Sequence, residues 1–170
     1  LCAFAGLRLG EAAGLRVEDI DFLRRTLTVT RQVQRAGRGR VEIRAPKYGS
    51  ERVVFLAPGL VDMLAAHIAA HRLENGWIFT GEGDQPPHQN TVGHRWRTAT
   101  AAAGVPGLRM HDLWHFYASG LIASGCDVVT VQRALGHASA TTTLSTYSHL
   151  WPTAEDRTRA ATQALLAESC

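Results

Sequence analysis

The sequence has few of the residues that mark several common protein classes. Its 170 residues contain three cysteines, Cys2, Cys126 and Cys170, and no C-x-x-C spacing. An odd number without paired spacing argues against a disulfide framework and a cysteine zinc site, so we expect a cytoplasmic protein. No apolar run approaches the ~18 residues that a membrane span requires, and we expect no membrane partner.

Motifs that bind phosphate or activate serine are also missing. The sequence has no G-x-x-x-x-G-K-[ST], no G-x-G-x-x-G and no G-x-S-x-G, and these are the signatures of phosphate loops, dinucleotide folds and nucleophile elbows. The sequence thus offers no nucleotide-binding or serine-hydrolase motif. No cofactor and no small-molecule substrate are predicted.

Histidine spacing leaves one metal hypothesis open. His111 and His115 resemble the H-E-x-x-H zinc motif, with Asp112 in place of the glutamate. A third ligand would have to come from elsewhere in the chain. A zinc hydrolase that uses His111 and His115 is therefore kept as a lower alternative, and no metal is predicted.

The composition of the sequence is typical of a folded domain. Hydrophobic residues make up 45% of the chain and charged residues 19%, which excludes a disordered chain and a coiled coil. The opening LCAFAG predicts the middle of a helix. We therefore expect residues 1–170 to be one domain whose start is truncated within its first helix.

Basic charge is concentrated in the first third of the chain. Residues 1–60 contain 11 Lys and Arg against 6 Asp and Glu, whereas residues 61–170 contain 7 against 9. The excess lies largely between residues 31 and 52, at Arg31, Arg35, Arg38, Arg40, Arg44, Lys47 and Arg52. Such a stripe suits a polyanion, because each cation near a phosphate releases counterions. A solvated, arginine-rich hairpin is the alternative.

Periodicity predicts an α+β fold that is mainly helical with one small three-stranded antiparallel sheet. The predicted strands cover residues 26–34, 41–45 and 52–56, and Lys47 lies in the second turn. Helices are predicted over residues 1–15, from Pro58 to about 75, and over 91–103, 111–124, 127–135, 141–149 and 153–167.

Four separated segments carry groups that suit phosphodiester chemistry: Arg8, Lys47, His111, and His137 with Tyr147. Phosphoryl transfer needs cations on the non-bridging oxygens, a nucleophile and an acid for the leaving oxygen. Arginine supplies bidentate clamps, lysine a point-charge acid, and tyrosine a nucleophile that can hold a covalent intermediate. Spacing alone does not assign these roles.

Four motifs, in order, resemble those of the tyrosine recombinases, or phage-type integrases. They are AGLRLGEAAGLRVEDIDF at residues 5–22, PKYGSERVVFL at 46–56, RMHDLWHFYASGLIASG at 109–125 and LGHASATTTLSTYSHL at 135–150. The resemblance covers nearly the whole chain. It implies the catalytic-domain fold of that family.

The resemblance also implies a role for each catalytic position. Tyr147 attacks the scissile phosphate to form a 3′-phosphotyrosyl bond, and Lys47 protonates the leaving 5′ oxygen. Arg8 stabilises the non-bridging oxygens, with hydrogen bonds from His111 and His137. Glu11 supports Arg8. The bond energy is kept in the phosphotyrosine, so rejoining requires neither ATP nor metal.

One position departs from the family pattern. The family's second box runs H-x-x-R, and here Trp114 stands at the position of the second arginine. Tryptophan offers one neutral N–H where arginine offers a charged fork, so we expect impaired activity. Decay of a gene copy, a deliberate substitution and a binder that no longer cuts DNA are open interpretations. Arg109 precedes the helix and does not replace the missing group, and His115 is expected to be structural.

The implied partner is double-stranded DNA, with Arg31, Arg35, Arg38, Arg40 and Arg44 as binding residues. The family places a helical DNA-clamping domain before the catalytic domain, and we expect this core-binding domain to be absent from the sequence. We expect a monomer when free and a homotetramer on paired DNA sites, with the helix at about 153–167 docking in trans or in cis. A non-catalytic, recombinase-like DNA-binding module is the main alternative.

Overall fold

The computed structural model describes residues 1–37, 40–71, 73 and 75–169. Over these ranges the chain is mainly helical, with two short helices, then short strands, then longer helices. The helices are α1 (Cys2–Ala5), α2 (Leu9–Ala13), α3 (Pro58–Ala70), α4 (Gln89–Ala102), α5 (Met110–Ala123), α6 (Val128–Leu135), α7 (Ala140–Tyr147) and α8 (Ala154–Ser169). The strands are β1 (Ile20–Asp21), β2 (Thr26–Val29), β3 (Gln32–Arg35), β4 (Val41–Arg44) and β5 (Arg52–Phe55). The predicted α+β class is confirmed.

The three-stranded antiparallel sheet is present, but its strands differ from the prediction. β2 lies at its centre between β1 and β5, whereas β3 and β4 form a separate two-stranded hairpin. The predicted strand over 26–34 breaks after Val29. Leu27 and Val29 alternate inward, but Gln32 and Val33 are both buried, so the two-residue period slips and the strand changes partner.

The predicted first helix, residues 1–15, is two helices. Gly6 separates them with a φ of 61°, in the left-handed region that favours glycine. A Cβ on Gly6 would lie 2.5 Å from the Tyr117 ring, so no other residue fits there. This break places Arg8 at the N-cap of α2.

The later helices follow the predicted pattern closely, with differences at their ends. α3 begins at Pro58 as predicted and ends at Ala70, before residue 75. α7 ends at Tyr147, and a short 3-10 turn follows it. The α8 residues from 155 to 168 are exposed. No helix in the described ranges combines the length and the apolar composition needed to cross a membrane.

Two groups of buried residues form the core. The first joins α1, α2, the three-stranded sheet and α3, and includes Leu7, Leu27 and Leu64. The second joins α5, α6 and α7, and it includes Trp114 and Tyr147. Trp114 and Tyr147, which stand at predicted catalytic positions, are therefore buried core residues.

Candidate active site

A buried ion cluster lies at the start of α2. Here we call Arg8, Glu11 and Arg52 the cationic cluster. The Glu11 carboxylate lies 2.9 Å from Arg8 Nη1 and 2.9 Å from Arg52 Nη2, and it accepts a 2.9 Å hydrogen bond from the Arg8 backbone N–H. Glu11 therefore holds Arg8 by two contacts, and its supporting role in catalysis stays a prediction.

Arg52 was expected in the exposed basic stripe, and this expectation is wrong. Its side chain is only 7% exposed. Besides Glu11, it donates hydrogen bonds to the carbonyls of Gly6, Ser50 and Ala134, which joins the first motif, the β5 turn and α6. Strand alternation carried the signal, because Arg52 shares the inward face of β5 with buried Val54.

The charge balance of this cluster lowers the pKa of Glu11. Burial alone would raise that pKa. The hydrogen bond and charge of Arg52, together with the backbone N–H and charge of Arg8, outweigh burial and keep the carboxyl below its ordinary value. Glu11 is therefore ionised at neutral pH and leaves one net positive charge on the cluster.

Trp114 lies at the centre of a second side-chain cluster in the site. We call it the aromatic cluster, and its members are His111, Trp114, His115, His137 and Tyr147. The Trp114 indole is 6% exposed, and its N–H donates a 3.1 Å hydrogen bond to the Gly6 carbonyl. The His111 ring stacks on it at 5.2 Å between centroids, and the His137 ring meets it edge-on at 5.3 Å. The Arg8 guanidinium lies 5.5 Å from the same ring.

The nucleophile position, Tyr147, is buried beside this tryptophan. The ring is 6.5 Å from Trp114, and the residue is 3% exposed. Burial raises the pKa of its hydroxyl to about 12. Its oxygen lies 2.5 Å from His115 Nδ1.

His115 therefore contacts the hydroxyl of the predicted nucleophile, a contact that the sequence analysis did not predict. Its ring also meets His111 at 4.7 Å. Positions four apart on a helix share a face, and this spacing was the signal that the sequence analysis undervalued.

The other two histidines of the aromatic cluster, His111 and His137, both have a lowered pKa. Burial, followed by the positive charges of Arg8 and Arg52, lowers the pKa of His137. Burial is also the largest cause that lowers the pKa of His111. His137 Nδ1 lies 2.8 Å from the Thr143 hydroxyl in the middle of α7, so two residues of the third motif contact each other.

Lys47 lies outside both clusters. Its exposed side chain makes no hydrogen bond or ion pair within the described ranges. It begins a short 3-10 turn that ends just before Ser50, and the Ser50 hydroxyl accepts a 3.3 Å hydrogen bond from Arg8. The turn is thus anchored at the cationic cluster, while the lysine is displayed on the surface.

The predicted DNA-binding arginines separate into two kinds. Arg31 pairs with Asp19 at 2.5 Å, and Arg44 pairs with Glu42 at 2.8 Å. Arg35 and Arg40 are exposed, and Arg40 lines a cavity of about 680 Å³ together with Arg95 of α4. The prediction for Arg38 lies outside the described residues.

Two smaller expectations concern the second box. Arg109 is turned away, because its side chain is 78% exposed and pairs with Asp112. For the zinc hypothesis, the described residues contain no group of three His, Cys, Asp or Glu side chains placed to hold a metal. His115 also directs Nδ1 at Tyr147, so the geometry gives the zinc hypothesis no support.

Comparison with known proteins decides the family. Residues 1–153 match the profile of the phage integrase family. The chain belongs to this family. It is 30% identical over 175 residues to a XerC-like tyrosine recombinase of Caldanaerobacter subterraneus subsp. tengcongensis, with 89% of the chain and 45% of the relative covered. A Thermosipho africanus tyrosine recombinase is 34% identical over 153 residues, with 88% and 47% covered.

Solved structures show the same fold. This phage integrase family member superimposes on the Tn1549 transposon integrase, solved in complex with transposon right end DNA, with a TM-score of 0.80 at 21% identity. That match covers 96% of this chain and 56% of the other. The XerA recombinase gives a TM-score of 0.65 at 23% identity, covering 89% and 56%. The chain spans about half the length of the curated relatives that it matches.

Proposed function

We propose that this chain cleaves and rejoins double-stranded DNA at a specific site through a 3′-phosphotyrosyl intermediate on Tyr147. One observation carries the proposal. Arg8, His111, His137 and Tyr147 come from different segments, yet all of them surround the ring of Trp114 within 6.5 Å. Family membership gives this convergence its chemistry.

The residues divide the reaction between them. The Tyr147 oxygen forms a bond to phosphorus while the bond to the 5′ oxygen breaks, and Lys47 protonates that oxygen. Arg8, held by Glu11, neutralises charge on the non-bridging oxygens, where fixed donors are most effective. His111 and His137 hydrogen-bond to the same phosphate. The 5′ hydroxyl of another strand then attacks the phosphotyrosine to rejoin the DNA.

Trp114 weakens this reaction in the chain as it stands. Its neutral indole replaces a charged fork, and its N–H is already bonded to Gly6. Loss of one fixed donor costs roughly 10²–10³ in rate, and a charged bidentate donor contributes more. The ring also lies against Arg8, where a phosphate oxygen would bind.

The proposed DNA surface combines the β3–β4 hairpin with the start of α4. Gln89 at the start of α4 donates a 2.8 Å hydrogen bond to the Val33 carbonyl of β3, which fixes the two elements together. Arg35, Arg40 and Arg95 supply exposed cations there. Arg31 contributes less, since its pairing with Asp19 must first be broken. Binding should weaken steeply as salt concentration rises.

In this proposal, α8 holds neighbouring copies of the chain together on DNA. The helix presents exposed residues from 155 to 168 and is not packed into either core cluster. Docking of α8 on a neighbouring copy would link a homotetramer on paired DNA sites, with a monomer in free solution. Removal of residues after Pro152 should leave DNA binding intact and abolish the paired complex in a native gel. A paired complex that survives this truncation would favour docking in cis.

The main alternative is a DNA-binding module that no longer cuts. It is supported by the fit of Trp114, which is buried, hydrogen-bonded and surrounded by rings. A zinc hydrolase that uses His111 and His115 stays a lower alternative and predicts stoichiometric zinc. Metal analysis of the purified chain tests that alternative directly.

The deciding experiment uses a nicked duplex built from the DNA that flanks the gene, at low salt. Fluorescence anisotropy measures binding, and a denaturing gel followed by peptide mass analysis measures the adduct on Tyr147. We expect both proteins, the native chain and Tyr147→Phe, to bind, and only the native chain to form a slow adduct. Binding without any adduct favours the module, and no binding contradicts the proposal.

A further inference from the structure

The hydrogen bond between His115 and Tyr147 has no place in the roles assigned so far. Tyr147 Oη and His115 Nδ1 are 2.5 Å apart. Among the residues that the structure describes, His115 is the one that hydrogen-bonds this hydroxyl. His137 directs its own Nδ1 to Thr143 instead, and the His111 ring stacks on Trp114.

We propose that His115 accepts the proton of the Tyr147 hydroxyl as that oxygen attacks phosphorus. The inference rests on the proposed function and adds a catalytic residue to it. His115 then acts in the tautomer that carries its proton on Nε2 and leaves the Nδ1 lone pair facing the hydroxyl.

The step balances in both directions. The Tyr147 oxygen forms the bond to phosphorus, its proton moves to His115 Nδ1, and the bond from phosphorus to the 5′ oxygen breaks. The leaving oxygen takes a proton from the Lys47 ammonium. During rejoining, the 5′ hydroxyl returns its proton to Lys47, and the released tyrosine oxygen recovers its proton from His115.

The environment of Tyr147 makes such an acceptor necessary. Burial raises the pKa of its hydroxyl to about 12, so only about one molecule in 10⁵ carries a phenolate at pH 7. A base already within hydrogen-bond distance removes the need for that rare ionised state, and such proton transfer contributes roughly 10²–10⁴ in rate.

A first test needs no DNA and no activity. Nitrogen NMR of the native chain should show the His115 Nδ1 signal of a hydrogen-bonded acceptor, and this signal should move in Tyr147→Phe. If both ring nitrogens of His115 keep the same shifts in Tyr147→Phe, the hydrogen bond does not exist and the inference is overturned.

A second test measures adduct formation on the nicked duplex, with Trp114→Arg as the reference protein. Addition of His115→Asn keeps an acceptor near the δ position but cannot hold the proton. We expect about 10²–10³-fold slower adduct formation at pH 7, and a deficit that shrinks as the pH rises to 10, because hydroxide then ionises Tyr147 directly. His149→Asn is the matched control, since His149 is exposed two residues beyond the nucleophile, and it should stay within twofold.

Other titrating or charged groups lie in or near the aromatic cluster, and the comparison cancels them. They are Arg8, Arg109, His111, Asp112 and His137. Both proteins retain all of them, so the ratio of rates isolates His115. A purely structural role predicts that His115→Asn restores the rate, or that its deficit is the same at every pH, and either result overturns the inference.

Failure of the proposed function gives a different pattern. If Trp114→Arg forms no adduct while the NMR hydrogen bond is present, the recombinase mechanism itself fails and the inference falls with it. If Trp114→Arg forms the adduct and His115→Asn matches it at pH 7, only the inference fails.

Discussion

The cationic cluster and the aromatic cluster share one hydrogen-bond acceptor and are built on opposite principles. The Gly6 carbonyl accepts a 3.0 Å hydrogen bond from Arg52 and a 3.1 Å hydrogen bond from Trp114. On the Arg52 side, a carboxylate and backbone carbonyls compensate the buried charge. On the Trp114 side, aromatic rings pack around a tryptophan.

The difference shows which part of the candidate site departs from the family pattern. The half that would clamp phosphate in the proposed mechanism keeps the residues of the family pattern, and Glu11 holds Arg8 there. The half that contains Tyr147 has the packed ring of Trp114 where the family pattern has an arginine. Because the departure lies in one cluster, substitutions can test the two clusters separately.

The largest effect on stability should come from the cationic cluster. Arg52→Ala leaves the buried Glu11 carboxylate without its bidentate partner, and loss of one partner of a buried pair costs about 3–5 kcal/mol. Urea unfolding measures this as a drop in the free energy of unfolding. Arg24→Ala is the control, because that side chain is 84% exposed and 3.7 Å from Asp21, and it should change stability by under about 0.5 kcal/mol. Equal effects for the two variants would contradict the buried-ion account.

A smaller effect should come from the aromatic cluster. Trp114→Phe keeps a ring but loses the N–H bond to Gly6 and part of the packed area, so we expect a loss of about 1–3 kcal/mol. Trp96→Phe removes the same kind of bond, from the indole to the Leu108 carbonyl, at a more exposed position. It should cost about 1 kcal/mol or less. A larger loss at Trp96 would show that Trp114 is not a packed core residue.

The smallest effect should be a pH dependence of the free energy of unfolding. It involves His137 of the aromatic cluster and the two arginines of the cationic cluster. Burial, with Arg8 and Arg52, lowers the pKa of His137 in the folded chain, whereas the unfolded chain titrates near the ordinary value of about 6.5. The unfolded state therefore binds more protons between these two values, and stability falls as the pH drops below about 6.5. Unfolding curves at pH 7.5 and 5.0 should show a smaller drop for His137→Gln than for the native chain. An unchanged drop would remove His137 from the account.

Most of the fold was readable because each segment has a strong local pattern. Pro58 marks the start of α3, and the turn signals isolate the later helices. The breaks at Gly6 and after Val29 were not readable, because each is decided by a distant partner. The Tyr117 ring fills the space at Gly6, and the hairpin strands β3 and β4 pair apart from the sheet.

The family motifs supplied the candidate site residues. They did not show which charged side chains are buried. Arg8, Glu11, His111, His137 and Tyr147 were named from the family pattern. Arg52 was assigned to a surface stripe, because a run of arginines says nothing about which one points inward.

The most direct test of the central claim compares the native chain with Trp114→Arg on the nicked duplex, with circular dichroism to check folding. Formation of the phosphotyrosyl adduct should be at least ~10²-fold faster in Trp114→Arg, and absent when Tyr147→Phe is added. If the native chain forms the adduct as fast as Trp114→Arg, the tryptophan does not impair the site, and our explanation of the aromatic cluster is wrong.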